Sequence, residues 1–141
     1  MYLDSAILVK LFVPEPDSSF YGKLVDGRVI LSSSIAYTEV WSAMLTKERQ
    51  GILHEEEISR AWRAFEKNIE EEMISLIPIT TPILKKANRI LREVHIHVPL
   101  RSLDAIHLAT CDLIQEWPLC TNDKRMRQAA QHLHFTITET A

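Results

Sequence analysis

Short hydrophobic runs of strand length alternate along this chain with longer segments of helical period, a pattern that builds parallel β-α-β units. The expected class is therefore α/β, with a short-stranded, mainly parallel central sheet flanked by helices. The strand candidates are Met1 to Asp4, Val29 to Leu31, Ile74 to Ile79, Leu119 to Thr121 and Phe135 to Thr138. At 141 residues the chain fits one domain, residues 1–141, long enough to bury a core without disulfides or a structural metal.

The helical segments carry clear signals. Ile83, Leu84, Ala87, Ile90, Leu91 and Val94 recur at three- and four-residue steps while Lys85, Lys86, Arg89 and Arg92 take the other face, so Pro82 to Val94 is an amphipathic helix with Thr81 as its cap. Ile58, Ala61, Trp62, Phe65, Ile69 and Met73 form one face of a helix that opens on Glu55, Glu56 and Glu57, where negative charge favours a helix N-terminus. Gly51 stops the preceding helix, roughly Ile35 to Gln50. Further helices are expected from about Ser102 to Gln115 and after Asp123 to about Gln131.

Composition narrows the class further. Hydrophobic residues at 46% and charged residues at 25% describe a folded globular chain. The two cysteines, Cys111 and Cys120, match no zinc-ligand spacing and read as buried thiols. No secretory signal or membrane-length apolar run is present, so a cytoplasmic protein with no membrane association is expected. The formal charge of -3 argues against a protein that coats nucleic acid by bulk electrostatics, but not against a nuclease, because an acidic site loaded with divalent cations reverses its own potential.

Four carboxylates stand alone inside stretches that otherwise avoid charge. Asp4 is the only charged residue from Met1 to Val9, Glu39 between Arg28 and Lys47, and Asp104 between Arg101 and Asp112, while Asp123 ends the uncharged stretch after Glu116. An ionised carboxylate in such surroundings costs several kcal/mol unless it is paired or bound to a metal. Asp4 and Asp123 fall at the ends of strand candidates, and Glu39 and Asp104 in the first turns of helices that can begin beside the same sheet edge, where open α/β folds bind ligands. Hard oxygen donors of this kind select magnesium or manganese.

Each acid also has a purely structural reading. Asp4 and Asp123 can cap helices, Asp104 can complement a helix dipole, and Glu39 can pair with Arg28. Their coincidence favours a joint site. His107, one turn from Asp104, can orient it but reads more readily as a packed or surface histidine, since no second metal-type ligand lies nearby. Lys124, Arg125 and Arg127 lie next to Asp123, better placed to meet an anion bound at the site than the basic face of the 82–94 helix. Trp41 and Trp62 are expected in the core or a subunit contact. An aspartate-based phosphatase would want a second Asp two residues after Asp4, where Ala6 stands.

Together YLDSAILVKLFVPE, SSSIAYTEVWSAM, SLDAIHLATC and LCTNDKRM, in this order over the whole chain, resemble a PIN-domain protein, and within that family a VapC-type toxin of a toxin–antitoxin pair. The resemblance implies a PIN-like three-layer fold and a magnesium- or manganese-dependent endoribonuclease. Asp4, Glu39, Asp104 and Asp123 match the family's four acids, and Thr121 the place of a hydroxyl supporting the metal or its water. Ser5 and Asn122 sit beside ligands and are secondary candidates for metal-bound water or phosphate. The resemblance also implies an RNA substrate, a small antitoxin partner that inserts an arginine among the acids, and a homodimer. A housekeeping RNA-processing nuclease and a non-catalytic nucleic-acid or partner-binding module remain the alternatives.

Overall fold

A computed structural model describes residues 1–141. The chain runs β1 (Tyr2–Leu3), α1 (Ser5–Phe12), α2 (Ser18–Val25), β2 (Ile30–Ser33), α3 (Ala36–Arg49), α4 (Glu55–Glu70), β3 (Ile74–Ile77), α5 (Thr81–Val94), α6 (Ser102–Ile114), β4 (Leu119–Cys120) and α7 (Lys124–His132). All strand pairs are parallel, in the order β3-β2-β1-β4. The chain adds β2 and β3 on one side of β1 and then returns to add β4 on the other. The C-terminal ends of β1 and β4 thus flank a topological switch point, where helices leave in opposite directions and open a crevice.

Alternation along the strands divides the interior in two. Leu3, Ile30, Ile74 and Cys120 join side chains of α1 to α4 in one core, while Tyr2 and Leu119 join α5, α6 and α7 in the other. The result is the expected three-layer α/β arrangement. Burial on both faces explains why the strands read as continuous apolar runs rather than as alternating ones.

Several local expectations are corrected. Phe135 to Thr138 is not a strand: it makes one parallel bridge, Leu119 to Ile137. Two hydrogen bonds flank Leu119, from its N–H to Thr136 O at 2.9 Å and to its carbonyl from Thr138 N at 3.0 Å, and the two-residue β4 offers nothing further along which to extend the ladder. Helix α4 ends at Glu70, the chain reverses through Glu72 at φ +59°, and Met73 emerges exposed instead of continuing the α4 face. Thr80 rather than Thr81 occupies the cap position of α5, with Pro82 in the first turn as expected. Helix α2 escaped the periodicity reading because it is eight residues long and carries Gly22. Gly51 sits at φ +72° just beyond α3, the left-handed conformation its stop role requires. Cys111 and Cys120 are free and buried. No helix is long and apolar enough to cross a membrane.

Candidate active site

The register of β1 against β4 pairs Leu3 with Cys120, so the residues that follow them, Asp4 and Thr121, stand level at the C-terminal edge. The Asp4 N–H donates to Cys120 O at 3.2 Å, and the Thr121 hydroxyl donates to Asp4 Oδ2. Asp4 also caps α1, its Oδ1 accepting from Ile7 N at 2.9 Å. Asp123 repeats the device one strand away, its Oδ1 accepting from Met126 N at 2.9 Å at the start of α7. Thr121 links the pair, its oxygen accepting from Asp123 N at 3.1 Å. Each aspartate thus gives one oxygen to its helix, while the other accepts from Thr121 in Asp4 and faces Arg101 in Asp123. Capping and a site role are compatible in the same side chain.

Glu39, in the first turn of α3, points into a buried polar chain. Its Oε1 accepts from Ser5 Oγ at 2.8 Å and lies 2.7 Å from His107 Nε2, while His107 Nδ1 lies 2.7 Å from the Tyr2 hydroxyl. The tautomer with its proton on Nε2 satisfies every member: Tyr2 donates to Nδ1, and Nε2 donates to Glu39. The expected neighbours are corrected on two counts. Arg28 is not the partner of Glu39, and His107 orients Glu39 rather than Asp104. The sequence signal for this was the spacing within SLDAIHLATC, which puts His107 one turn along α6 from Asp104; that α6 brings this face against Ser5 and α3 is tertiary information.

Asp104 and Asp123 share an arginine. Arg101, at the N-cap position of α6, donates through Nε to Asp104 Oδ2 at 2.9 Å, and its Nη2 lies 3.6 Å from Asp123 Oδ2. Its side chain is 62% exposed, against 11% for Asp104 and 32% for Asp123. Beside it a cleft of about 480 Å³ is lined by Ala6, Arg101, Asn122, Asp123, Lys124 and Arg125. Arg127, expected with these cations, instead donates to the carbonyls of Thr121 at 2.9 Å and Thr138 at 3.0 Å, tying the last segment to β4.

The electrostatics differ from acid to acid. Burial pushes the Asp4 carboxyl above the ordinary range, and the bonds from Thr121 and Ile7 only partly offset it. Burial also acts on Glu39, but there the hydrogen bond and charge of His107, with Ser5 and Arg101, outweigh it and hold the carboxyl below its usual value. The Asp104 carboxylate holds the Arg101 guanidinium above its usual value.

No three His, Cys, Asp or Glu side chains stand at ligating range of a common point. Between Asp104 and Asp123 the Arg101 guanidinium supplies the positive charge. The oxygen donors of the four acids and of Thr121 and Ser5 beside Asp4 and Glu39 are carboxylates and hydroxyls, and the Cys120 thiol is pushed by burial up to about 11, so no thiolate competes. This donor set fits magnesium or manganese and not a soft metal.

Elsewhere, Lys86 on the basic face of α5 pairs with Asp112 at 2.5 Å. Trp62 packs against the first core and meets Trp41 edge-on at 4.9 Å, with Trp41 itself partly exposed.

A short-stranded parallel sheet with acids at the ends of β1 and β4 and in the first turns of α3 and α6 defines a PIN domain, and the chain belongs to that family, whose model matches residues 1–131. Among its relatives is Ribonuclease VapC46 of Mycobacterium tuberculosis, 34% identical over 140 residues, covering 97% of this chain and 95% of the relative. Ribonuclease VapC45 of the same species is 34% identical over 113 residues, 78% of this chain and 73% of the relative. Two solved structures share the fold. FitAcB from Neisseria gonorrhoeae superposes with a TM-score of 0.71 at 14% identity, covering 98% of this chain and 96% of its own. A toxin–antitoxin complex from Klebsiella pneumoniae gives 0.63 at 16%, covering 98% and 95%.

Proposed function

We propose that this protein is a magnesium- or manganese-dependent endoribonuclease in one nuclease domain, residues 1–141, acting as the toxin of a toxin–antitoxin pair. The observation that carries the reading is the gathering of four sequence-distant carboxylates, with one arginine among them, at the switch point of the sheet. The ribonuclease names of relatives aligned over nearly the whole chain support the activity and the substrate class.

Asp4, Glu39, Asp104 and Asp123 would hold the ion. When bound, a divalent ion supplies a polarised phosphodiester, a water of lowered pKa and charge stabilisation at the leaving oxygen. The chain's own contribution is placement. Thr121 and the start of α1 fix Asp4, while Ser5 and His107 fix Glu39. Asn122, Lys124 and Arg125 line the cleft along which an RNA backbone would lie, the two cations binding phosphate. No side chain acts as a covalent nucleophile.

The reading includes an antitoxin that places an arginine among the acids, a homodimer and a cytoplasmic setting. The test is expression in a bacterial host. Growth arrest relieved by co-expressing the small neighbouring reading frame, together with cleavage of purified RNA that EDTA stops, is the expected result. RNA cleavage without growth arrest would favour a housekeeping nuclease, and no cleavage in magnesium or manganese would overturn the enzymatic reading.

A further inference from the structure

Arg101 is the one cation that bridges Asp104 and Asp123, and no other side chain pairs with it. It donates to Asp104 Oδ2 at 2.9 Å and reaches Asp123 Oδ2 at 3.6 Å, yet well over half of its side chain is open to solvent. The other cations near the site are placed differently. Arg127 is bound to two carbonyls, and Lys124 and Arg125 line the same cleft without an ion-pair partner. His107 is buried, with both ring nitrogens hydrogen-bonded to Tyr2 and Glu39. The balance of charge at Asp104 and Asp123 therefore rests on one solvent-exposed guanidinium.

We propose that Arg101 is an exchange residue: it neutralises Asp104 and Asp123 in the metal-free protein, leaves them when a divalent cation enters, and then binds a phosphate of the RNA strand lying in the cleft. A guanidinium and a divalent cation cannot both occupy the space between these carboxylates, because each needs the same Oδ2 atoms and like charges there repel. The displaced side chain need not travel far. Arg101 already lines the cleft with Lys124 and Arg125, and its planar fork suits a phosphate as well as a carboxylate. The exchange turns a neutralised acidic rim into three free cations beside a loaded site, which couples ion binding to substrate binding.

This inference rests on the metal-dependent reading above, and its test separates the two. Manganese binding to the full chain without RNA is measured by calorimetry for wild type, Arg101→Gln, Arg101→Lys and Asp104→Asn. Binding of a non-cleavable 2′-O-methyl oligoribonucleotide is then measured with manganese present. Arg101→Gln should bind manganese about tenfold more tightly, the scale of one charge-assisted hydrogen bond that no longer has to break. The same variant should bind the oligonucleotide several-fold more weakly, with Arg101→Lys between it and wild type in both assays.

Manganese affinity that is unchanged or weaker in Arg101→Gln would overturn the exchange and leave Arg101 as a support for Asp104. Tighter manganese binding with unchanged oligonucleotide affinity would overturn the transfer to phosphate. Wild type that binds no manganese would instead overturn the metal-dependent reading itself. The exposed position of Arg101 makes both of its variants expected to fold, and melting curves check these and the isosteric Asp104→Asn.

Discussion

The two halves of the site are built differently. Asp4 and Glu39 are held by groups the fold cannot move: Thr121 by strand register, Ser5 on α1, and His107 braced by Tyr2. Asp104, itself buried, and Asp123, which lines the cleft, share a long, exposed arginine. The first pair is preorganised by fixed groups of the fold, and the second keeps its charge satisfied by a solvent-exposed partner that can leave. Stability and function should therefore separate by location. Substitutions inside ought to cost both, and substitutions on the rim ought to cost function alone.

His107→Ala is the strongest way to break that contrast. It strands the Tyr2 hydroxyl and Glu39 beside a new cavity, so a loss of about 3 kcal/mol in denaturant unfolding is expected, with cleavage falling as well. Thr121→Val follows, removing a donor from the buried Asp4 carboxylate at about 2 kcal/mol. Tyr2→Phe should cost about 1 kcal/mol, since only His107 Nδ1 loses its partner, and cleavage should fall modestly through a less firmly held Glu39. At the small end, Lys124→Ala combined with Arg125→Ala should leave the melting temperature unchanged. Their effect belongs in the salt dependence of RNA binding, where the log–log slope should decrease by about two. A rim variant that unfolds as readily as His107→Ala would abolish the distinction between the halves.

The parts of this arrangement legible in the sequence are those set by local chemistry. An acid isolated in an uncharged run must be compensated somewhere, and Asp4, Glu39, Asp104 and Asp123 were all visible by that criterion. Strand ends and helix starts placed them near one edge, and the family motifs placed Thr121 and Ser5 beside them. The compensation itself was not legible. His107 serving Glu39 from 68 residues away, Tyr2 serving His107 across 105, and Arg101 serving two acids at once all depend on how α6 settles against β1 and α3. The terminal strand failed for a related reason. Phe135 to Thr138 has strand composition, but its partner β4 is too short to carry a ladder.

The central claim is that the four carboxylates form one metal-dependent centre that cleaves RNA. Asp104→Asn tests it most directly, because asparagine keeps the size of the side chain and an acceptor for Arg101 while removing the charge an ion needs. With purified, manganese-replete protein of unchanged melting temperature, cleavage of total RNA should fall at least about a hundredfold and manganese binding should weaken in parallel. Wild-type cleavage by that variant would contradict the account.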